Sequence, residues 1–127
     1  MMEWSVDPNS ERAPSRQLVD AVLDGIARGE LAGGDQLPSV RGLAAIAMVN
    51  HNTVARAWRD LEQMGVARGR NGRGVFITPE GPELARNSRQ QETLARFEQA
   101  LAEALRAGHA LPDLERIIKA TGKRKSA

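Results

Sequence analysis

Between residues 38 and 78 the apolar side chains change their spacing twice, and few folds can accommodate the result. Leu43, Ala44 and Ala47 recur at helical intervals over a short run. After the interruption Met48-Val49-Asn50, a second helical stripe is formed by Val54, Ala57, Trp58, Leu61 and Met64. Two residues placed for N-caps precede these runs: Ser39 opens a helix from Val40 to about Ala47, and Asn50 one from His51 to about Met64. Gly65 supplies the stop. Residues 66–70 and 73–78 then flank Asn71-Gly72, the favoured pair for a two-residue type I′ hairpin, in which both positions take positive φ. Gly69 and Gly74 keep that hairpin tip slim. The stretch therefore predicts two helices joined by a tight turn and followed by a two-stranded hairpin.

The flanks read as support. Trp4 and Val6 alternate in an extended lead-in, with Trp4 a packing anchor, and Asp7-Pro8-Asn9-Ser10 makes a turn. Pro14 suits a first helical position, and Leu18, Val19, Val22, Leu23 and Ile26 share one face of a helix that reaches about Arg28. Trp58 and Phe76 are expected in the core. Three helices and a hairpin make a winged helix-turn-helix domain over residues 1–78. The segment Pro79-Glu80-Gly81-Pro82 is expected to break the chain and bound it. A helical segment follows over 79–120: a long helix from about 83 to 107, then a short one opened by Leu111-Pro112-Asp113. Leu94, Phe97, Leu101 and Ala104 follow a 3-4-3 seam. With Leu105, Leu114, Ile117 and Ile118, they are the residues expected to mediate dimerisation. Two helices of this size cannot enclose a core alone. Residues 121–127, with Lys123-Arg124-Lys125, are expected to be a disordered basic tail. The fold class is thus mainly α with a small β-hairpin, a winged helix-turn-helix with a two-helix C-terminal dimerisation segment.

Charge adds direction. Residues 1–40 carry three Arg against seven acidic groups, residues 41–78 six Arg against two, and residues 79–127 nine basic groups against seven. The positive excess falls on the helix-turn-helix and hairpin, entirely as Arg, whose planar fork suits phosphate oxygens and guanine edges. Other classes find little support. There is no cysteine, so no disulfide or thiolate chemistry is expected, and His51 and His109 lie far apart in the chain. No Gly-rich nucleotide loop ends in Lys-Ser/Thr. No catalytic residue, metal or cofactor is expected. No apolar run approaches the ~20 residues that span a bilayer, and a cytoplasmic protein without membrane contact is expected.

The series Leu37-Pro38-Ser39-Val40-Arg41, Asn52-Thr53-Val54-Ala55-Arg56-Ala57 and Asn71-Gly72-Arg73-Gly74 resembles the GntR family of bacterial regulators. The resemblance begins near Pro14 and ends near Thr78, roughly half of the chain. The short two-helix C-terminal part is similar to the YtrA subfamily of small transcriptional repressors. The resemblance implies that Arg41 contacts DNA backbone and bases, and that His51, Asn52 and Thr53 open the recognition helix in the major groove. Arg56 would meet a phosphate or base one turn on. Gly72, Arg73 and Gly74 would form the wing tip at the minor groove or its phosphates. Three positions depart from the family pattern: His51 replaces Arg, Met48 a turn Gly, and Gly42 the Glu that would complete a capping box.

The resulting expectation is a sequence-specific regulator, a repressor acting as a homodimer on an inverted-repeat operator in double-stranded DNA. An unidentified small-molecule effector is conceivable, although the chain leaves little room for a pocket. Two rival classes are a winged helix that binds proteins and an architectural DNA-binding protein without sequence preference.

Overall fold

The structure is a computed structural model describing residues 2–126. Its elements follow in the order α1 (Pro14–Ala27), α2 (Val40–Ala47), α3 (His51–Gln63), β1 (Ala67–Arg70), β2 (Gly74–Ile77), α4 (Gly81–Arg106) and α5 (Leu111–Ser126). The chain divides into two compact units between Gln90 and Gln91.

The first unit is built on the apolar stripes of the three short helices. Leu18, Val19, Val22 and Leu23 from α1 are completely buried with Leu43 of α2 and with Val54, Ala57 and Leu61 of α3. Trp58 joins them and keeps its indole N–H satisfied by donating to the Pro38 carbonyl at 3.1 Å. Trp4 packs edge-on to Trp58 with ring centroids 6.1 Å apart, the anchoring role expected of it. Phe76, expected in the core, is only half-buried; the Arg70 guanidinium lies 5.3 Å from its ring centroid and covers it.

The helix starts follow their caps. Ser39 Oγ accepts from the Gly42 N–H at 3.0 Å, and Asn50 Oδ1 accepts from the Asn52 N–H at 2.8 Å. Pro14 occupies the first position of α1, where no side-chain cap is made. The hairpin pairs Ala67 with Ile77 and Arg70 with Gly74, antiparallel, so three residues rather than two form its loop. Asn71 does not take positive φ; among the described residues Met48 alone does so outside glycine. The positive angles fall instead on Gly72 (71°) and Gly74 (112°), and Arg73 N–H closes the turn on the Arg70 carbonyl at 2.9 Å. The type I′ expectation is therefore replaced by a longer loop in which the two glycines, not Asn71, absorb the reversal.

The chain break expected at residues 79–82 is a helix start. Gly81 is the first residue of α4 and Pro82 the second, where a missing N–H is tolerated. Gly81 and Ala85 are buried in the first unit, and Arg89 reaches Asp24 at 2.9 Å and Asp20 at 3.5 Å. The opening turns of α4 thus pack with α1 to α3, and the first compact unit runs to Gln90.

The second unit holds the remainder of α4 and α5. Its last helix continues through the stretch expected to be a disordered tail and ends at Ser126; Ala127, like Met1, lies outside the described residues. Thr121 Oγ1 donates back to the Ile117 carbonyl at 2.8 Å, and Lys123, Arg124 and Lys125 fall in the last turn, where positive charge complements the helix dipole.

Candidate nucleic-acid interface

The buried stripe of α3 leaves Asn52, Arg56, Arg59 and Gln63 on its opposite side, all exposed. Their 4-3-4 spacing makes one polar strip along the helix. His51 is exposed as the first helical residue, and Thr53, half-buried, lies at the edge of the strip. Arg41 is exposed in the first turn of α2. Gly72, Arg73 and Gly74 are exposed at the end of the hairpin.

The turn that sets α3 against α2 is unusual in one residue. Met48 has φ 57° and ψ 48°, the left-handed conformation normally given to glycine, and its side chain is 89% exposed. The backbone therefore follows the glycine-type turn even though methionine stands there. Gly42 leaves the capping box half-made: Ser39 caps its N–H, and no side chain is present to answer.

The arginines differ in what they are paired with. Arg12 and Arg16 pair with Asp20, Arg28 with Glu30, and Arg89 with Asp20 and Asp24. By contrast, Arg41, Arg56, Arg59, Arg68, Arg70 and Arg73 are all exposed, and among the described residues none has an ion-pair partner. These are the six Arg of residues 41–78. Arg59, Arg68 and Arg70 are not among the residues the sequence assigns to DNA contact. The helical period places Arg59 beside Arg56, and the two strand arginines could have been found from the hairpin pattern.

The geometry is that of a helix-turn-helix with a basic wing, and comparison with known proteins agrees. The model of the family described as "Bacterial regulatory proteins, gntR family" matches residues 14–77. The chain belongs to the GntR family. Among GntR relatives, it is 31% identical over 114 residues to the HTH-type transcriptional repressor YtrA of Bacillus subtilis (strain 168), covering 90% of this chain and 88% of that one. A transcriptional regulator from Oenococcus oeni superposes with a TM-score of 0.70 at 34% identity, over 91% of this chain and 96% of that one. YtrA from Sulfolobus acidocaldarius, a GntR-family transcription factor, does so with a TM-score of 0.57 at 31% identity, over 71% and 95%. This GntR protein is accordingly a DNA-binding transcriptional regulator, from a family of regulators rather than enzymes.

Among the described residues no helix is long and apolar enough to cross a membrane, and no group of three or more His, Asp or Glu could hold a metal ion. An open hollow of about 600 Å³ lies beside the helix-turn-helix turn, between Trp4, Val6 and Pro14 on one side and Ile46, Met48 and Val49 on the other.

In the second unit the eight residues expected to mediate dimerisation occupy α4 and α5, and none is buried in the single chain. Phe97, Leu101, Ala104, Leu114, Ile117 and Ile118 line a groove of about 180 Å³ between the two helices. Leu94 and Ile117 are 58% and 61% exposed, which leaves much of their apolar surface in water.

Proposed function

We propose that this GntR regulator is a repressor that binds an inverted-repeat operator as a homodimer. The observation that carries the DNA-contacting surface is the set of six exposed arginines between residues 41 and 78 without acidic partners. An arginine held in an internal ion pair must give that pair up before meeting a phosphate; these have no ion pair to give up.

In the proposed complex, His51, Asn52 and Thr53 enter the major groove, where the N-terminal residues of a recognition helix meet base edges. Arg41 and Arg56 hold the flanking backbone. Gly72, Arg73 and Gly74 reach the minor groove or its phosphates. Phe97, Leu101, Ala104, Leu105, Leu114, Ile117, Ile118 and Leu94 meet their counterparts in a second copy. The exposed apolar surface of α4 and α5 supports this pairing, because contiguous apolar patches on soluble domains mark interaction sites. Two recognition helices would then read half-sites about 10 bp apart, or a simple multiple of that. Repression follows from occupancy of the promoter, a reading supported by the repressor name of the Bacillus subtilis relative. An effector that releases the operator, a small molecule of unassigned class, belongs to the same proposal.

Footprinting on fragments of the genome that encodes the protein tests it. One protected inverted repeat is expected, with log K falling linearly against log salt by about 0.9 per phosphate neutralised. Uniform protection would point to architectural binding. An absence of any DNA complex at low salt, from folded dimers, would remove the DNA-contact assignment.

A further inference from the structure

The hairpin tip is held by a residue outside the hairpin. Residues 34–37 run antiparallel beside β2: Gly34 N–H donates to the Ile77 carbonyl, Ile77 N–H to that of Asp35, and Leu37 N–H to that of Val75, each at 2.8 Å. Gln36 stands opposite Phe76 in this pairing. From there its Nε2 reaches along the hairpin and donates to the Arg73 carbonyl at 2.8 Å, a bond between residues 37 apart in sequence. The adjacent Gly74 has φ 112°, and a Cβ at that position would lie 2.6 Å from Gln36 Nε2. The Gln36 amide therefore fills space that only glycine leaves open. Since Arg73 N–H donates to the Arg70 carbonyl at 2.9 Å, both polar groups of the Arg73 backbone are tied.

We propose that Gln36 is a positioning residue for DNA binding, holding the backbone of Arg73 so that its guanidinium is presented to the DNA before the complex forms. The inference rests on the assignment of the hairpin tip as a DNA contact. A loop bearing Gly72 and Gly74 is costly in entropy to order on binding. A tie already made in the free protein removes part of that cost and strengthens the complex without touching DNA itself.

The test is a double-mutant cycle on the footprinted operator fragment, with affinities measured across a series of salt concentrations for Arg73→Ala, Gln36→Met and the pair. Methionine keeps the length and neutrality of Gln36 and removes the donor. Thermal unfolding checks that each variant is folded. Arg73→Ala is expected to lower the slope of log K against log salt by about 0.9, the loss of one phosphate contact. Gln36→Met is expected to weaken binding about three- to tenfold, the effect of one neutral hydrogen bond. It should also flatten the salt slope, although no charge has changed, and it should add nothing in the Arg73→Ala background. Equal weakening in both backgrounds, or an unchanged salt slope, would overturn the positioning role while leaving the hairpin contact standing. No effect of Arg73→Ala would overturn the hairpin contact and the positioning role together.

Discussion

Met48 carries a backbone conformation that costs a residue with a side chain roughly 1–2 kcal/mol. With φ 57° and a side chain 89% exposed, it has little packing to set against that cost. Met48→Gly relieves the strain but gives the unfolded chain more freedom, worth about 0.4–1 kcal/mol in the other direction. The expected net result is a gain of between zero and about 1.6 kcal/mol, measured as a higher urea midpoint at constant m. A loss of stability would mean that Met48 makes a compensating contact. The strained position was legible in the sequence, because a methionine stood where the resembling family has glycine. Whether the turn or the residue would yield was not, since that depends on how firmly Leu43, Ala44 and Val54 lock the two helices together. His51 and Asn50 show the same division: the cap was readable from residue type, whereas the exposure of His51 needed the packed helix beneath it.

At the scale of elements, helices were easier to foresee than their junctions. The five stripes of apolar residues repeat within a few turns, so local spacing identifies them. The hairpin loop is different, because its length follows from strand register, and register is set by Ile77 and Ala67 entering the core opposite one another. Asn71-Gly72 favours a two-residue turn locally, and the pairing of Arg70 with Gly74 overrides it. Thr78 closes the other end of the hairpin. Its hydroxyl, buried, lies 2.6 Å from the Gly65 carbonyl and 3.2 Å from that of Val66, with one proton to share between them. Thr78→Val keeps the shape and leaves the Gly65 carbonyl without that donor. A loss of about 1–2 kcal/mol is expected in urea unfolding. A change within experimental error would mean that water replaces the hydroxyl there.

For the molecule as a whole, apolar surface is distributed unevenly. The first unit buries most of its large aliphatic side chains and leaves Ile46, Met48 and Leu84 exposed, whereas Leu94, Phe97, Leu105, Leu111, Ile117 and Ile118 are all exposed along α4 and α5. Covering a half-exposed Leu or Ile is worth about 1 kcal/mol, so several together can hold two copies in association. Leu101→Glu, which places a charge in the groove of α4 and α5, is expected to give monomers in sedimentation and operator binding weakened at least tenfold. Dimers of unchanged stability would move the contact elsewhere. The sequence by itself determined the order of the elements, the helix caps, the apolar stripes and the concentration of arginine between residues 41 and 78, because each depends on neighbours within a few positions. Only the tertiary structure decided the conformation of Met48, the hairpin register, the docking of the first turns of α4 on α1 and the reach of Gln36 to Arg73. Those depend on groups that meet only when the core closes, and no local pattern records which distant partner will be there.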